Sequence, residues 1–167
     1  MSEAAETTVK IELADEAATG ALAAKAARHA VAGDVLALTG ELGAGKTAFV
    51  RAFINARAET VQEVPSPTYT LVQEYEFPNE GETLPIFHFD LFRIEDAAET
   101  LELGMDDAFR DGVSLIEWPE IINGHLPPDR LDVHLEQGPA AGSRLATLTG
   151  RGAWAPRTTA LAEKANR

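Results

Sequence analysis

An α/β fold is predicted by three features of the sequence. The apolar run Val35-Leu36-Ala37-Leu38 leads directly into Gly40-Glu41-Leu42-Gly43-Ala44-Gly45-Lys46-Thr47, and the apolar residues Phe49, Val50, Phe53 and Ile54 follow at helical spacing. A second short apolar run, Val113 to Ile116, ends in Glu117-Trp118-Pro119-Glu120. Around both runs, segments of period two alternate with segments of period 3.6, the patterns of strands and helices. At 167 residues the chain is long enough for one well-buried core. Residues 1–155 read as a single domain and 156–167 as a tail.

Taken in order, Thr8 to Leu13 alternates apolar and polar side chains and predicts a half-buried strand. Asp15 is placed to cap a helix that runs to about Val31, with Ala18, Leu22, Ala26 and Ala27 on its apolar face. Gly33-Asp34 ends it and turns into the strand before the glycine-rich stretch, and the helix after that stretch spans about Lys46 to Ala56. Glu59 to Pro67 reads as an exposed connection made extended by Pro65-Ser66-Pro67. Thr68 to Phe77 and Leu84 to Phe92 predict two strands of a hairpin around the turn cluster Pro78-Asn79-Glu80-Gly81. On the second of these, Phe87, Phe89 and Leu91 share one face while His88 and Asp90 share the other, more polar one. Glu95 to Leu103 predicts a helix stopped by Gly104, and Asp106 to Gly112 a shorter one. Arg130 to Glu136 and Arg144 to Thr149 predict a terminal hairpin, and the tail after Pro156 reads as a short helix or a frayed end.

The stretch Gly40 to Thr47 fits the phosphate-binding pattern G-x-x-x-x-G-K-[ST] at every fixed position. Glycines let successive backbone N–H groups point inward, and the following helix puts its positive end behind them. Glu41, Leu42, Gly43, Ala44, Gly45, Lys46 and Thr47 are therefore candidate nucleotide-binding residues. Lys46 would reach the β- and γ-phosphates and Thr47 would offer its hydroxyl to Mg²⁺. Phosphoryl transfer to water also needs a carboxylate at a nearby strand end. Glu117 is the first candidate, holding Mg²⁺ directly or through water. Asp90 is the second, with three open roles: holding a magnesium-bound water, positioning the attacking water, or pairing with Arg93. Lys46, Asp90 and Glu117 are thus the candidate catalytic residues. Ser66 and Thr68, on a loop flanked by prolines, are candidates for sensing the γ-phosphate. Trp118 read alone is a packing residue, and His88, His125 and His134 lack metal-ligand spacing and read as structural or exposed. Neither N-K-x-D nor D-x-x-G occurs, so ATP is favoured over GTP.

The balance of 27 acidic against 14 basic side chains gives a net charge of −13. Such a surface repels a phosphate backbone, so contact with nucleic acid would have to come through partner proteins. No apolar run approaches the roughly 18 to 20 residues of a membrane span, and the acidic start lacks the features of a secretory signal. A cytoplasmic location and no membrane partner are expected. The chain contains no cysteine, which excludes disulfides and thiol chemistry.

Together, Gly40 to Thr47, Ser66-Pro67-Thr68-Tyr69-Thr70-Leu71-Val72, His88-Phe89-Asp90-Leu91-Phe92-Arg93 and Ile116 to Glu120 resemble the TsaE (YjeE) family, small P-loop ATPases of tRNA threonylcarbamoyladenosine synthesis. The resemblance implies a P-loop nucleotide-binding fold with a largely parallel central sheet, flanking helices and antiparallel hairpin additions. It also implies ATP and Mg²⁺ as ligands, weak ATP hydrolysis that depends on partners, and action with TsaB and TsaD, with tRNA met only through that complex. It assigns Thr47 and Glu117 to magnesium, Asp90 to hydrolysis, Ser66 to Thr68 to a switch-like loop and Trp118 to a nearby functional aromatic, and it places Glu16 near the nucleotide base. Phe92 stands where the family usually has tyrosine, so any role of that hydroxyl is absent. Two rival readings use the same loop: a small-molecule kinase, and a nucleotide-dependent binding module that does not hydrolyse.

Overall fold

A computed structural model describes residues 5–58, 63–65, 67, 71–79 and 82–163 of the chain. Among these, seven strands form one sheet: β1 (Glu6–Leu13), β2 (Val35–Thr39), β3 (Val72–Asn79), β4 (Glu82–Asp90), β5 (Val113–Glu117), β6 (Arg130–Gln137) and β7 (Arg144–Arg151). Their order across the sheet is β1-β7-β6-β2-β5-β4-β3. The neighbours β6, β2, β5 and β4 run parallel. β3 pairs antiparallel with β4 at one edge, and β7 and β1 extend the other edge antiparallel. This is the expected fold, with a parallel centre and antiparallel hairpins on both flanks.

The helices are α1 (Glu16–His29), α2 (Lys46–Arg57), α3 (Met105–Asp111) and α4 (Trp154–Ala162). Asp15 caps α1, its Oδ1 accepting the Ala18 amide at 2.9 Å. The small side chains Ala23, Ala26 and Ala27 are buried, which lets α1 lie close against α2. On one face of the sheet, Leu36, Leu38, Leu115, Leu131 and Val133 pack with Leu22, Phe49, Phe53 and Ile54. On the other, Val35, Phe89 and Ile116 pack with Ile94, Met105 and Ala108. Strands covered on both faces need apolar side chains at consecutive positions, which is why β2 and β5 read as unbroken apolar runs.

Several sequence expectations change in the structure. Residues 95–103 form a 3₁₀ helix, Ala97–Leu103, capped by Asp96 and stopped at Gly104 with φ 74°. Pro78 and Asn79 continue β3 up to the Asn79–Glu82 pair, as an edge strand tolerates the missing proline N–H. β4 ends at Asp90, before the expected Phe92, because Asp90 Oδ1 captures the Phe92 amide at 3.0 Å and turns the chain. In the connection expected to be exposed, Val64 is buried in the core and Pro67 is also buried. Glu63 and Pro65 are exposed as expected, and Glu59 to Gln62 and Ser66 lie outside the described residues. His88 is fully buried, because the more polar face of β4 also lies inside the molecule.

At the C-terminal end of the described residues, α4 begins at Trp154 and crosses the 155/156 boundary. Trp154, Ala155, Thr158 and Leu161 of α4 are buried, and the helix packs on β1 and β7. Pro156 sits in its first turn, where the missing N–H breaks no helical bond. Gly150 makes the close approach possible, since a Cβ there would lie 1.9 Å from Thr158 Oγ1. Arg157 stacks 3.9 Å from the Trp154 ring centroid and holds both oxygens of Asp34 at 2.7 and 3.1 Å. This ties α4 to the turn between α1 and β2. Replacing Trp154 with Ala is therefore expected to cost about 3–5 kcal/mol, read as a lower urea midpoint; an unchanged midpoint would show that α4 stands outside the cooperative core.

Candidate functional site

The site forms at the carboxyl ends of three adjacent parallel strands. β2 ends at Thr39 and the chain enters the glycine-rich loop, with Gly40, Gly43 and Gly45 at φ 138°, 81° and 106°. At Gly40 a Cβ would stand 2.3 Å from the carbonyl oxygen of Leu135 on β6, so the position admits only glycine. The loop hands over to α2, whose N-terminus has no side-chain cap and presents its dipole to the space above the loop. Arg144, at the start of β7, braces the loop: its Nε donates to the Ala44 carbonyl at 3.0 Å and its Nη2 to the Gly43 carbonyl at 3.1 Å.

Lys46 is 5% exposed. Its ammonium donates to the carbonyls of Gly40 and Glu41 and lies 4.0 Å from the centroid of the Trp118 ring. Burial pushes its pKa below the ordinary lysine value, against the opposing charges of Glu117, Glu120 and Asp90.

The carboxylates come from the next two strands. Parallel register sets Glu117 beside Leu38 of β2 and Asp90 beside Glu117. Glu117 is held from two sides, with Thr47 Oγ1 donating to Oε1 at 3.0 Å and His88 Nε2 lying 2.6 Å from Oε2. Asp90 accepts the Phe92 amide through its side chain and donates its own amide to the Leu71 carbonyl at 3.0 Å. The site is flanked by two non-glycine residues in left-handed conformation, Leu71 at φ 69° and Trp118 at φ 57°. The Trp118 ring also meets Phe92 at 4.9 Å, forming an aromatic rim.

These groups enclose a cavity of about 530 Å³. Its wall includes Leu42, Gly43, Gly45, Lys46, Thr47, Asp90, Glu117 and Trp118, and Glu16 joins them from the first turn of α1. Glu41 and Ala44 belong to the loop but not to that wall, and Ser66 and Thr68 lie outside the described residues. Sequence reasoning missed Thr19, Gly142 and Arg144, which also line the cavity, and the contact of His88 with Glu117. Nothing local to Arg144 marks it, because the loop it braces lies a hundred residues earlier. The His88 contact is legible only once β4 and β5 are known to be parallel neighbours.

The donor chemistry fits a hard divalent cation. Thr47 gives its proton to Glu117, which leaves the hydroxyl lone pairs to face a cation beside carboxylate oxygens. Among the described residues no group of three or more His, Asp or Glu closes a protein-only metal cage. Magnesium commonly binds this way, through few protein oxygens with water and phosphate completing its shell.

A family model described as threonylcarbamoyl adenosine biosynthesis protein TsaE matches residues 13–145, a span that contains every residue of the cavity wall. A tRNA threonylcarbamoyladenosine biosynthesis protein TsaE from Bacillus subtilis is 42% identical over 120 residues, covering 71% of this chain and 72% of that protein. The protein of the same description from Nostoc is 36% identical over 145 residues, covering 84% and 85%. The crystal structure of Bacillus subtilis YdiB matches with a TM-score of 0.73 at 31% identity, over 94% of this chain and 95% of that one.

The brace at Arg144 can be tested directly. Arg144→Ala removes two hydrogen bonds to the loop, at about 1 kcal/mol each. It is expected to weaken nucleoside triphosphate binding about tenfold in calorimetry, and Arg144→Lys, lacking the fork, should recover only part. Wild-type affinity in both variants would show that the loop keeps its shape without the brace.

Proposed function

The chain belongs to the TsaE family of threonylcarbamoyl adenosine biosynthesis proteins, and from that premise we propose that it hydrolyses ATP as an accessory subunit of tRNA threonylcarbamoyladenosine synthesis, working with TsaB and TsaD. The observation that carries the reading is the hydrogen bond from Thr47 to Glu117, which joins the phosphate loop to the end of β5 with Asp90 beside it. That arrangement is suited to a triphosphate with its cation and an attacking water in one place.

In this mechanism the loop amides and the N-terminus of α2 receive the phosphates. Lys46 exchanges the carbonyls of Gly40 and Glu41 for β- and γ-phosphate oxygens, a full counter-charge in place of partial ones. Thr47 and Glu117 would hold Mg²⁺, which when bound neutralises charge on the phosphate oxygens. Asp90, fixed by the Phe92 amide, orients a water toward the γ-phosphorus; that water adds as the bond to the ADP oxygen breaks, giving ADP and phosphate. Glu16 and Thr19 also line the cavity, and in this reading they would border the nucleoside. The net charge of −13 favours docking on partner proteins in the cytoplasm and leaves tRNA contact to them.

Lys46→Ala and Thr47→Ala are each expected to weaken Mg·ATP binding, and chelating Mg²⁺ should remove most of the Thr47 effect; ATP affinity unaltered by either change would move the site elsewhere. Asp90→Ala is expected to slow phosphate release by about 10²–10⁴-fold while changing nucleotide affinity far less. Turnover that survives both Asp90→Ala and Glu117→Ala would overturn the catalytic assignment. Mixed with its TsaB and TsaD, the full chain should co-elute in a nucleotide-dependent complex; no complex, together with phosphorylation of a metabolite, would replace this reading with a kinase.

A further inference from the structure

His88 is completely buried, with the aliphatic side chains of Leu84 and Ile86 on its own strand and Leu115 on the next sharing its side of the sheet. Period two puts His88 and Asp90 on one face of β4 and Leu115 and Glu117 on the same face of β5. Because His88 pairs with Leu115 and Asp90 with Glu117, the Glu117 side chain has Asp90 opposite and His88 diagonally behind it.

The contact between His88 Nε2 and Glu117 Oε2 is 2.6 Å. A bare nitrogen lone pair at that distance from a carboxylate oxygen would be repulsive, so Nε2 carries the proton and donates it. The other ring nitrogen, Nδ1, is buried without a hydrogen-bond partner among the described residues. An imidazole in that position therefore carries a desolvation cost that only the Glu117 bond offsets. A leucine or phenylalanine would fill the same space without that cost, so packing does not explain a histidine there.

The Glu117 side chain is 4% exposed. With His88 on Oε2 and Thr47 on Oε1, each oxygen has a donor, and the donors come from different elements, β4 and α2. A glutamate side chain has three rotatable bonds, and a single contact would leave the carboxylate plane free to turn. Two opposed donors fix it.

We propose that His88 is a positioning residue, whose Nε2–H holds Glu117 so that the opposite oxygen and the Thr47 hydroxyl stay in place to receive magnesium. This rests on the Mg·ATP reading above. His88 touches neither nucleotide nor cation in this scheme; it acts through Glu117.

The test compares His88→Phe, which keeps the ring volume and removes the donor, with His88→Gln, whose amide nitrogen reaches close to the place of Nε2. Binding of a non-hydrolysable ATP analogue is measured by calorimetry across a Mg²⁺ titration and again in chelator, with thermal melting as the folding control. His88→Phe is expected to raise the Mg²⁺ needed for half-maximal tightening by about 10–100-fold, the range for loss of an outer-shell partner, while metal-free affinity stays within about twofold. His88→Gln should return to within about threefold of the unsubstituted chain. An unshifted Mg²⁺ requirement in folded His88→Phe overturns the proposal. If His88→Phe does not fold, His88→Gln decides: a folded His88→Gln shifted tenfold or more overturns it equally. Absence of any Mg²⁺-dependent binding in the unsubstituted chain would instead defeat the Mg·ATP reading itself.

Discussion

The parallel pairing of β2, β5 and β4 is the constraint on which the site depends. Parallel ladders align strand ends of the same sense, so the carboxyl ends of all three strands open on one edge. β2 delivers the glycine-rich loop there, β5 delivers Glu117 and β4 delivers Asp90. The residues come from three separate parts of the chain, yet only backbone register is needed to set them side by side. The apolar faces that bury these strands also exclude water from their polar ends, which raises the value of every hydrogen bond made there.

Within that frame the polar groups have few alternatives. Lys46 rests on loop carbonyls and an indole face, partners of partial charge, and its burial disfavours the ammonium. Partial partners are easily exchanged for an anion that offers full charge. Trp118 supplies the ring from a left-handed backbone conformation that a bulky residue adopts only at a cost, and Leu71 does the same on the other side of Asp90. Trp118 stands in the cavity wall after β5, and the Leu71 carbonyl accepts the amide of Asp90 at the end of β4.

The periphery holds the frame together. Arg144 reaches from the terminal hairpin to the loop, and Arg157 reaches from α4 to Asp34 at the entrance of β2. Each arginine uses its planar fork to grip two acceptors, a geometry that lysine cannot reproduce. The C-terminal third of the chain thus supports a loop that lies near residue 40, although it carries no sequence motif of its own.

The glycine spacing and the lysine-threonine end of the loop are local requirements of binding phosphate through backbone amides, so they are legible in the sequence. So are the Asp15 cap, the apolar periods of α1 and α2, and the buried runs of β2 and β5, because each depends on neighbours a few residues away. Glu117 and Asp90 could be picked out as acids at strand ends. That they stand together, that His88 lies behind Glu117, and that Arg144 braces the loop were decided only by tertiary structure. Strand order and register are set by packing between distant segments, and no window of sequence contains both partners of such a contact. The same limit explains the buried Val64 and α4: whether an apolar side chain in an apparent loop or tail is covered depends on the surface that folding brings to it.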